Sequence, residues 1–191
     1  MSSSPERTPG PLDGLVVADL TSSVTGQYTG KMLAMHGAVV VLVEPPYGTA
    51  TRRTPPISPE GESFLFRHLN QGKQSVVVDL EHGHGQQILI DLIRRADVVL
   101  RDQGASLPVD PAATAVDCEI GDFPTDGPYS GWRGSEIVHQ ALAGVMAATG
   151  SPDREPIYGI GHRAAYAAGT TAYISIVAAL HERRRSGRGQ R

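Results

Sequence analysis

The residues able to do chemistry are sparse, and most of their spacings fail a known pattern. A dinucleotide turn of the form G-x-G-x-x-G would follow Leu20, but Thr21-Ser22-Ser23-Val24-Thr25-Gly26 carries one glycine, so that fingerprint is absent. Glu44 closes an apolar run where such folds place a ribose-binding acid, yet the Gly-rich turn that should accompany it is missing. Gly72-Lys73 resembles the end of a P-loop. Arg67 stands where its first glycine should be, and Gln74 where Ser or Thr should follow. His82-x-His84 offers two imidazoles without a third ligand nearby, which suits a solvated loop better than a metal. No serine sits in a G-x-S-x-G elbow. His139 falls one step from an apolar helical stripe and reads as structural. Tyr28, Tyr129 and Tyr166 lie beside small-residue segments, where they could line a cleft or pack in a core. Cys118 stands alone in an apolar run and reads as a buried strand thiol.

The elements that would position these residues alternate between strand and helix. Leu15–Leu20 and Ala38–Val43 are apolar, β-branched runs without alternation, as expected of strands buried on both faces of a parallel sheet. Between them Val24, Tyr28, Met32 and Met35 make an apolar helical stripe, Gly26, Gly30 and Ala34 a small-residue stripe, and Gly37 a C-terminal stop. This strand–helix–strand unit is a right-handed crossover by the usual rule. A Pro-rich loop from Glu44 to about Gly61 leads to the short apolar segment Phe64–Leu69. A third strand is expected over Ser75–Leu80, a helix around Ile88–Ala96, a fourth strand at Asp97–Leu100 and a fifth at Val116–Ile120. A helix capped by Ser135 should reach Ala148, and a last helix should span Arg163–Arg184. Its uncharged stretch Ala164–Leu180 is short for a membrane span and rich in Ala, Thr, Ser and Tyr, so a fully buried core helix is expected. The pattern predicts an α/β fold, a Rossmann-like doubly wound, mainly parallel sheet of about five strands with flanking helices.

Composition is consistent with this. The 191 residues are 40% hydrophobic, enough for one sizeable core. A net charge of −3 gives no global electrostatic reason to bind nucleic acid, and the basic tail Arg183–Arg191 reads as a solvated helix end. Residues 1–11 read as a disordered lead-in without the apolar core of a signal peptide, with residues 12–191 as one domain. A single cysteine fits a reducing, cytoplasmic setting.

Taken together, the phrases resemble the N-terminal part of the family III CoA-transferases. They are Pro11–Thr21, Gly37–Pro46, Leu69–Leu80, Ala96–Val99, Gly127–Tyr129, Ala141–Met146, Tyr166–Gly169 and Gly187–Gln190. The set covers nearly the whole chain in order and spacing. The resemblance implies a Rossmann-like large domain that takes coenzyme A across its strand ends as a substrate rather than a tightly bound cofactor. It implies CoA-side positions at Ser23, Arg52, Lys73, Val78 and Asp102. It also implies that a small domain and a returning segment are absent, and that an apolar face is left exposed or is covered by a partner subunit in a homo- or heterodimer.

The departures from the family pattern are specific. Family transferases attack the acyl thioester with an Asp placed just before an aromatic-x-x-Gly phrase, giving a mixed anhydride and then an enzyme-bound thioester. Here that position is Ala165, so no catalytic residue is expected. The racemase branch uses a His near the start of the preceding helix; here Ser135 and Glu136 stand there. On the CoA side, Glu81 replaces a Lys and Asp102 an Asn. Each reversal near phosphate would cost on the order of 1–3 kcal/mol at surface-like dielectric. The resulting expectation is a degenerate CoA-transferase-like domain with weak or absent CoA binding. The alternatives are an active transferase using Glu136 or Asp153, and a scaffold that does not bind CoA.

Overall fold

The computed structural model describes residues 10–191. Five strands form one parallel sheet: β1 (Val16–Leu20), β2 (Val39–Glu44), β3 (Gln74–Val77), β4 (Val98–Asp102) and β5 (Val116–Ile120), in the order β3-β2-β1-β4-β5. The helices are α1 (Val24–Met35), α2 (Phe64–Leu69), α3 (Gly83–Arg95), α4 (Glu136–Leu142) and α5 (Arg163–Ser186), with a 3-10 turn at Ala50–Arg53. The order reverses between β1 and β4, so the loops leaving those two strands diverge and open a crevice at their carboxyl ends.

The central strands β1 and β4 are buried on both faces, as parallel packing requires, while β3 at the sheet edge is largely exposed. Val17, Val40, Val98, Leu100 and Val116 meet Leu33 of α1 and Ile176, Ala179 and Leu180 of α5 on one face. Ala18 and Val99 meet Leu89, Ile93 and Ala96, contributed by α3 and its C-cap, on the other. No helix lies between β4 and β5, so β5 is covered from the α5 side only.

Several elements differ from the sequence expectation. In α1 the buried face is Gly26, Gln27, Gly30, Leu33 and Ala34, while Met35 is exposed. The small-residue stripe, not the apolar one, faces the sheet. A Cβ on Gly26 would meet the Thr21 side chain at 2.4 Å, and one on Gly30 would meet Asp19 Oδ2 at 2.4 Å. The third strand stops at Val77, and Leu80 is exposed. Helix α4 stops at Leu142, well before Ala148, because Gly144 takes φ 72° and closes it. Helix α5 is buried along one stripe only (Gly169, Ile176, Ala179, Leu180), and Ile174 is 60% exposed. Its mixed Ala/Thr/Tyr surface is that of a one-sided helix, and among the described residues no helix is long and apolar enough to cross a membrane.

The tail is not a free helix end. After the α5 C-cap Gly187, Gln190 pairs in parallel with Val116, and Asp117 N–H donates to Gln190 O at 2.8 Å. Arg191 lies 3.1 Å from Glu119. The tail is thus held to the start of β5 by a single parallel bridge. The lead-in assigned to residues 1–11 falls mostly outside the described residues; Gly10 packs on the His36 carbonyl, and Leu12 N–H donates to it at 3.0 Å.

Candidate functional site

A cleft of about 510 Å³ opens at the reversal point, between the carboxyl ends of β1, β4 and β5 and the N-terminal ends of α1, α4 and α5. Ser23, Asp102, Asp122, Glu136, His139 and Ala165 are the lining residues that matter chemically. Ser23, Asp102, Glu136 and Ala165 come from strand ends or helix starts, the geometry that open α/β sheets use for ligands, while Asp122 follows β5 and His139 lies midway along α4.

Ser23 is the N-cap of α1, and its hydroxyl accepts from Gly26 N–H at 3.1 Å. It also donates to Asp102 Oδ1 at 2.7 Å. Ser22 donates from its backbone N–H and its hydroxyl to Asp102 Oδ2, at 2.7 and 2.8 Å. Asp102 therefore ties the β4 end to the β1–α1 turn, and Ser23 and Asp102, separate in sequence, meet on the cleft wall.

Glu136 opens α4 and reaches the start of α5. Its carboxylate accepts from the Ala164 N–H, from Ala165 N–H at 3.3 Å and from Gln140 Nε2 at 2.9 Å. Gln140 in turn pairs both ways with Gly159. Burial alone would raise the Glu136 carboxyl, but the bonds from Ala164, Gln140 and Ala165 outweigh it and hold it below the ordinary range. It is thus an anion seated on the positive end of a 24-residue helix. Ser135 occupies the α4 N-cap position without a side-chain cap bond. Ala165 lies in the first turn of α5 with its methyl on the cleft. The His139 Nε2 is buried without a hydrogen-bond partner among the described residues; Asp122 Oδ1 is 3.7 Å away.

The remaining positions expected on the CoA side do not line this cleft. Arg52 forms a two-pronged pair with Glu44, Nε to Oε2 at 2.6 Å and Nη2 to Oε1 at 2.7 Å, and stacks on Phe66 at 3.9 Å. Glu44 also accepts from Ser75 Oγ and Thr49 N–H, and these bonds overcome burial to keep its carboxyl below the ordinary range. Glu44 is 1% exposed, so it serves the interior rather than a ribose. Lys73 is buried, donating to Asp19 Oδ2 and to Gln27 O, each at 2.7 Å. Desolvation lowers its pKa despite the Asp19 charge. Val78 is a core residue on the α3 side. Glu81 and Asp153 are exposed and away from the cleft.

Two buried charge systems were not evident as such from sequence. One is Asp19–Lys73. The other joins Arg101 on β4 to Asp117 at 2.9 Å and to Glu119 on β5. Their signal was present: Asp19, Arg101 and Asp117 are charges inside or beside apolar strand runs, and a buried charge needs a partner. Cys118, between the two acids, has its thiol pushed up to about 11, chiefly by burial and then by Asp117. His82 Nδ1 lies 2.8 Å from Asp79. No group of three or more His, Cys, Asp or Glu that could hold a metal occurs among the described residues.

Comparison with known proteins agrees with this arrangement. The sequence model of CoA-transferase family III matches residues 12–191. The formyl-CoA:oxalate CoA-transferase of Streptomyces avermitilis is 34% identical over 191 residues, covering 94% of this chain and 46% of that enzyme. The succinate–glutarate CoA-transferase of Agrobacterium fabrum is 35% identical over 207 residues, covering 100% of this chain and 52% of that enzyme. A CAIB/BAIF family protein from Brucella suis superposes with TM-score 0.83 at 34% identity, over 96% of this chain and 52% of that one. The chain spans about half the length of these relatives. With a crevice at the sheet's reversal point and a family match running from Leu12 to its last residue, the chain belongs to CoA-transferase family III.

Proposed function

We propose that this chain is the CoA-side portion of a family III CoA-transferase whose own nucleophilic carboxylate has been lost. The observation that carries the reading is the start of α5. The position from which a carboxylate would attack an acyl thioester presents the Ala165 methyl to the cleft. A methyl can form neither the mixed anhydride nor the enzyme-bound thioester. The neighbouring carboxylate, Glu136, has its oxygens on the amides of Ala164 and Ala165 and on Gln140, so its lone pairs are engaged as a helix cap.

The electrostatics favour weak CoA binding. Asp102, Asp122 and Glu136 line the cleft, whereas Arg52 and Lys73, the cations expected on the CoA side, lie outside its lining and are committed to Glu44 and Asp19. Phosphate would meet carboxylates there without a free Lys or Arg from the expected positions. In this reading the chain contributes fold and interface to a homo- or heterodimeric assembly, with chemistry supplied by another subunit.

A second reading rests on the same wall. Glu136 is the carboxylate that touches Ala165, so it is the group placed to replace the missing nucleophile. The discriminating experiment incubates the chain with acyl-CoA donors and free carboxylic acids and follows thioester exchange. No turnover is expected. Steady turnover abolished by Glu136→Gln would overturn the first reading in favour of the second. Calorimetry with CoA separates a weak binder from a scaffold, since a micromolar dissociation constant is incompatible with a non-binding chain.

A further inference from the structure

Two lysines are buried along α1 and its neighbours, and one of them lacks an oxygen partner. Lys73 is saturated by Asp19 and the Gln27 carbonyl. Lys31, midway along α1, is 7% exposed, and the polar neighbours of its Nζ are the two ring nitrogens of His68, Nδ1 at 3.2 Å and Nε2 at 3.4 Å. A neutral imidazole accepts at one ring nitrogen and donates from the other, so the amine can donate to only one of the two. An ammonium offers three donors, and among the described residues none of them meets a carbonyl or a carboxylate.

Among the described residues no carboxylate pairs with Lys31 or His68. Tyr28 comes from the same helix, and Tyr166 from α5 packs on Tyr28 at 4.7 Å and faces His68 at 6.3 Å between ring centres. The His162 ring lies 6.3 Å from that of Tyr166. Arg67 adjoins His68 on α2 and lies 3.6 Å from Glu62. Neither Lys31 nor His68 lines the cleft. His68 is exposed, so the pair is reachable from solvent on the α2 side. Burial lowers the Lys31 pKa, and burial and then the Lys31 charge lower that of His68, so each cation is disfavoured as the site stands.

We propose that Lys31 and His68 form an oxyanion-binding site that takes a carboxylate, either of a free acid or of an acidic side chain on a second copy of the chain. The bound carboxylate accepts from the Lys31 ammonium and the His68 ring and supplies the missing negative charge, with the Tyr28–Tyr166 pair walling one side.

The experiment follows the His68 imidazole resonances by NMR, assigned with His68→Gln, through pH titrations. One arm adds sodium acetate against sodium chloride at matched ionic strength; the other varies protein concentration and measures mass by light scattering. A free-acid site gives a saturable upward shift of the His68 midpoint with acetate. A site filled by a second copy gives an upward shift with protein concentration and a doubled mass. Either response must vanish in Lys31→Met, or in Lys31→Gln where the Met variant fails to fold. A His68 midpoint indifferent to both arms, or one that moves equally without Lys31, overturns the proposal.

Discussion

At the scale of single residues, this protein separates charges that look functional from charges that hold the fold. Lys73 and Arg52 sit in phrases shared with CoA-transferases, yet each is locked to a buried acid. Removing one member of the Asp19–Lys73 pair leaves an uncompensated buried charge. Lys73→Met is expected to lose about 3–5 kcal/mol of unfolding free energy, measured by urea denaturation; a loss below about 1 kcal/mol would show that Asp19 finds another partner. Glu136 contributes as an anion at a helix start. Its folded-state pKa is depressed, so its contribution is present above the unfolded value and is lost as pH falls through the folded one. Glu136→Gln is therefore expected to destabilise the chain by about 1 kcal/mol near neutrality, and its stability should converge on that of the wild type as pH drops below the ordinary carboxylate range. A constant gap down to the acid transition would contradict the capping role.

At the scale of elements, the contact between α1 and α5 decides the shape of the cleft. The two helices approach closely because Gly169 faces α1: a Cβ there would stand 2.9 Å from the Thr25 carbonyl and 3.0 Å from the Tyr28 ring. The α5 side of that contact carries Ala165 and Ala168 on the cleft wall. Gly169→Val is expected to cost about 1–3 kcal/mol by overpacking. It should also perturb the aromatic resonances of Tyr28 and Tyr166, which NMR would detect. An unchanged spectrum and stability would mean that the helices can slide apart without cost. The helix signals in sequence were sound for existence and weaker for extent. Periodicity locates α1, α3 and α5, and in α1 it offers an apolar and a small-residue stripe, of which the small-residue one packs inward while Met35 stays exposed. Helix α4 was overextended because Val145 and Met146 continue its stripe past Gly144, whose positive φ ends it.

At the scale of the whole molecule, one region stands out for exposed apolar surface. Tyr129, Trp132, Ile137, Leu142, Val145, Ile157 and Ile160 are all exposed, from the loop after β5 to the approach to α5. Phe123, Tyr129 and Trp132 also pack on one another at the rim. Large contiguous apolar patches on a protein surface mark interaction sites or aggregation liabilities. The chain alone is expected to bind a hydrophobic dye and to scatter light above its 20.2 kDa monomer mass. A dye-silent monomer at all concentrations would count against that expectation.

The sequence by itself determined the order of the strands and of every helix but α2, which reads there only as a short apolar segment, the parallel character of the sheet and the family. Those follow from local signals: unalternating apolar runs, turn glycines and phrases kept in order. It also determined that residue 165 carries no carboxylate. Tertiary structure alone decided which charges are available. Pairing Asp19 with Lys73, Glu44 with Arg52, and Asp102 with Ser22 and Ser23 depends on crossovers that bring distant segments together, and no local pattern encodes those distances. It likewise decided that Glu136 lies against Ala165 across 29 residues, and that Lys31 is buried beside His68 rather than beside an acid. A charge in a sequence is only a potential; burial and its neighbours settle whether it holds the fold together or remains open to a ligand.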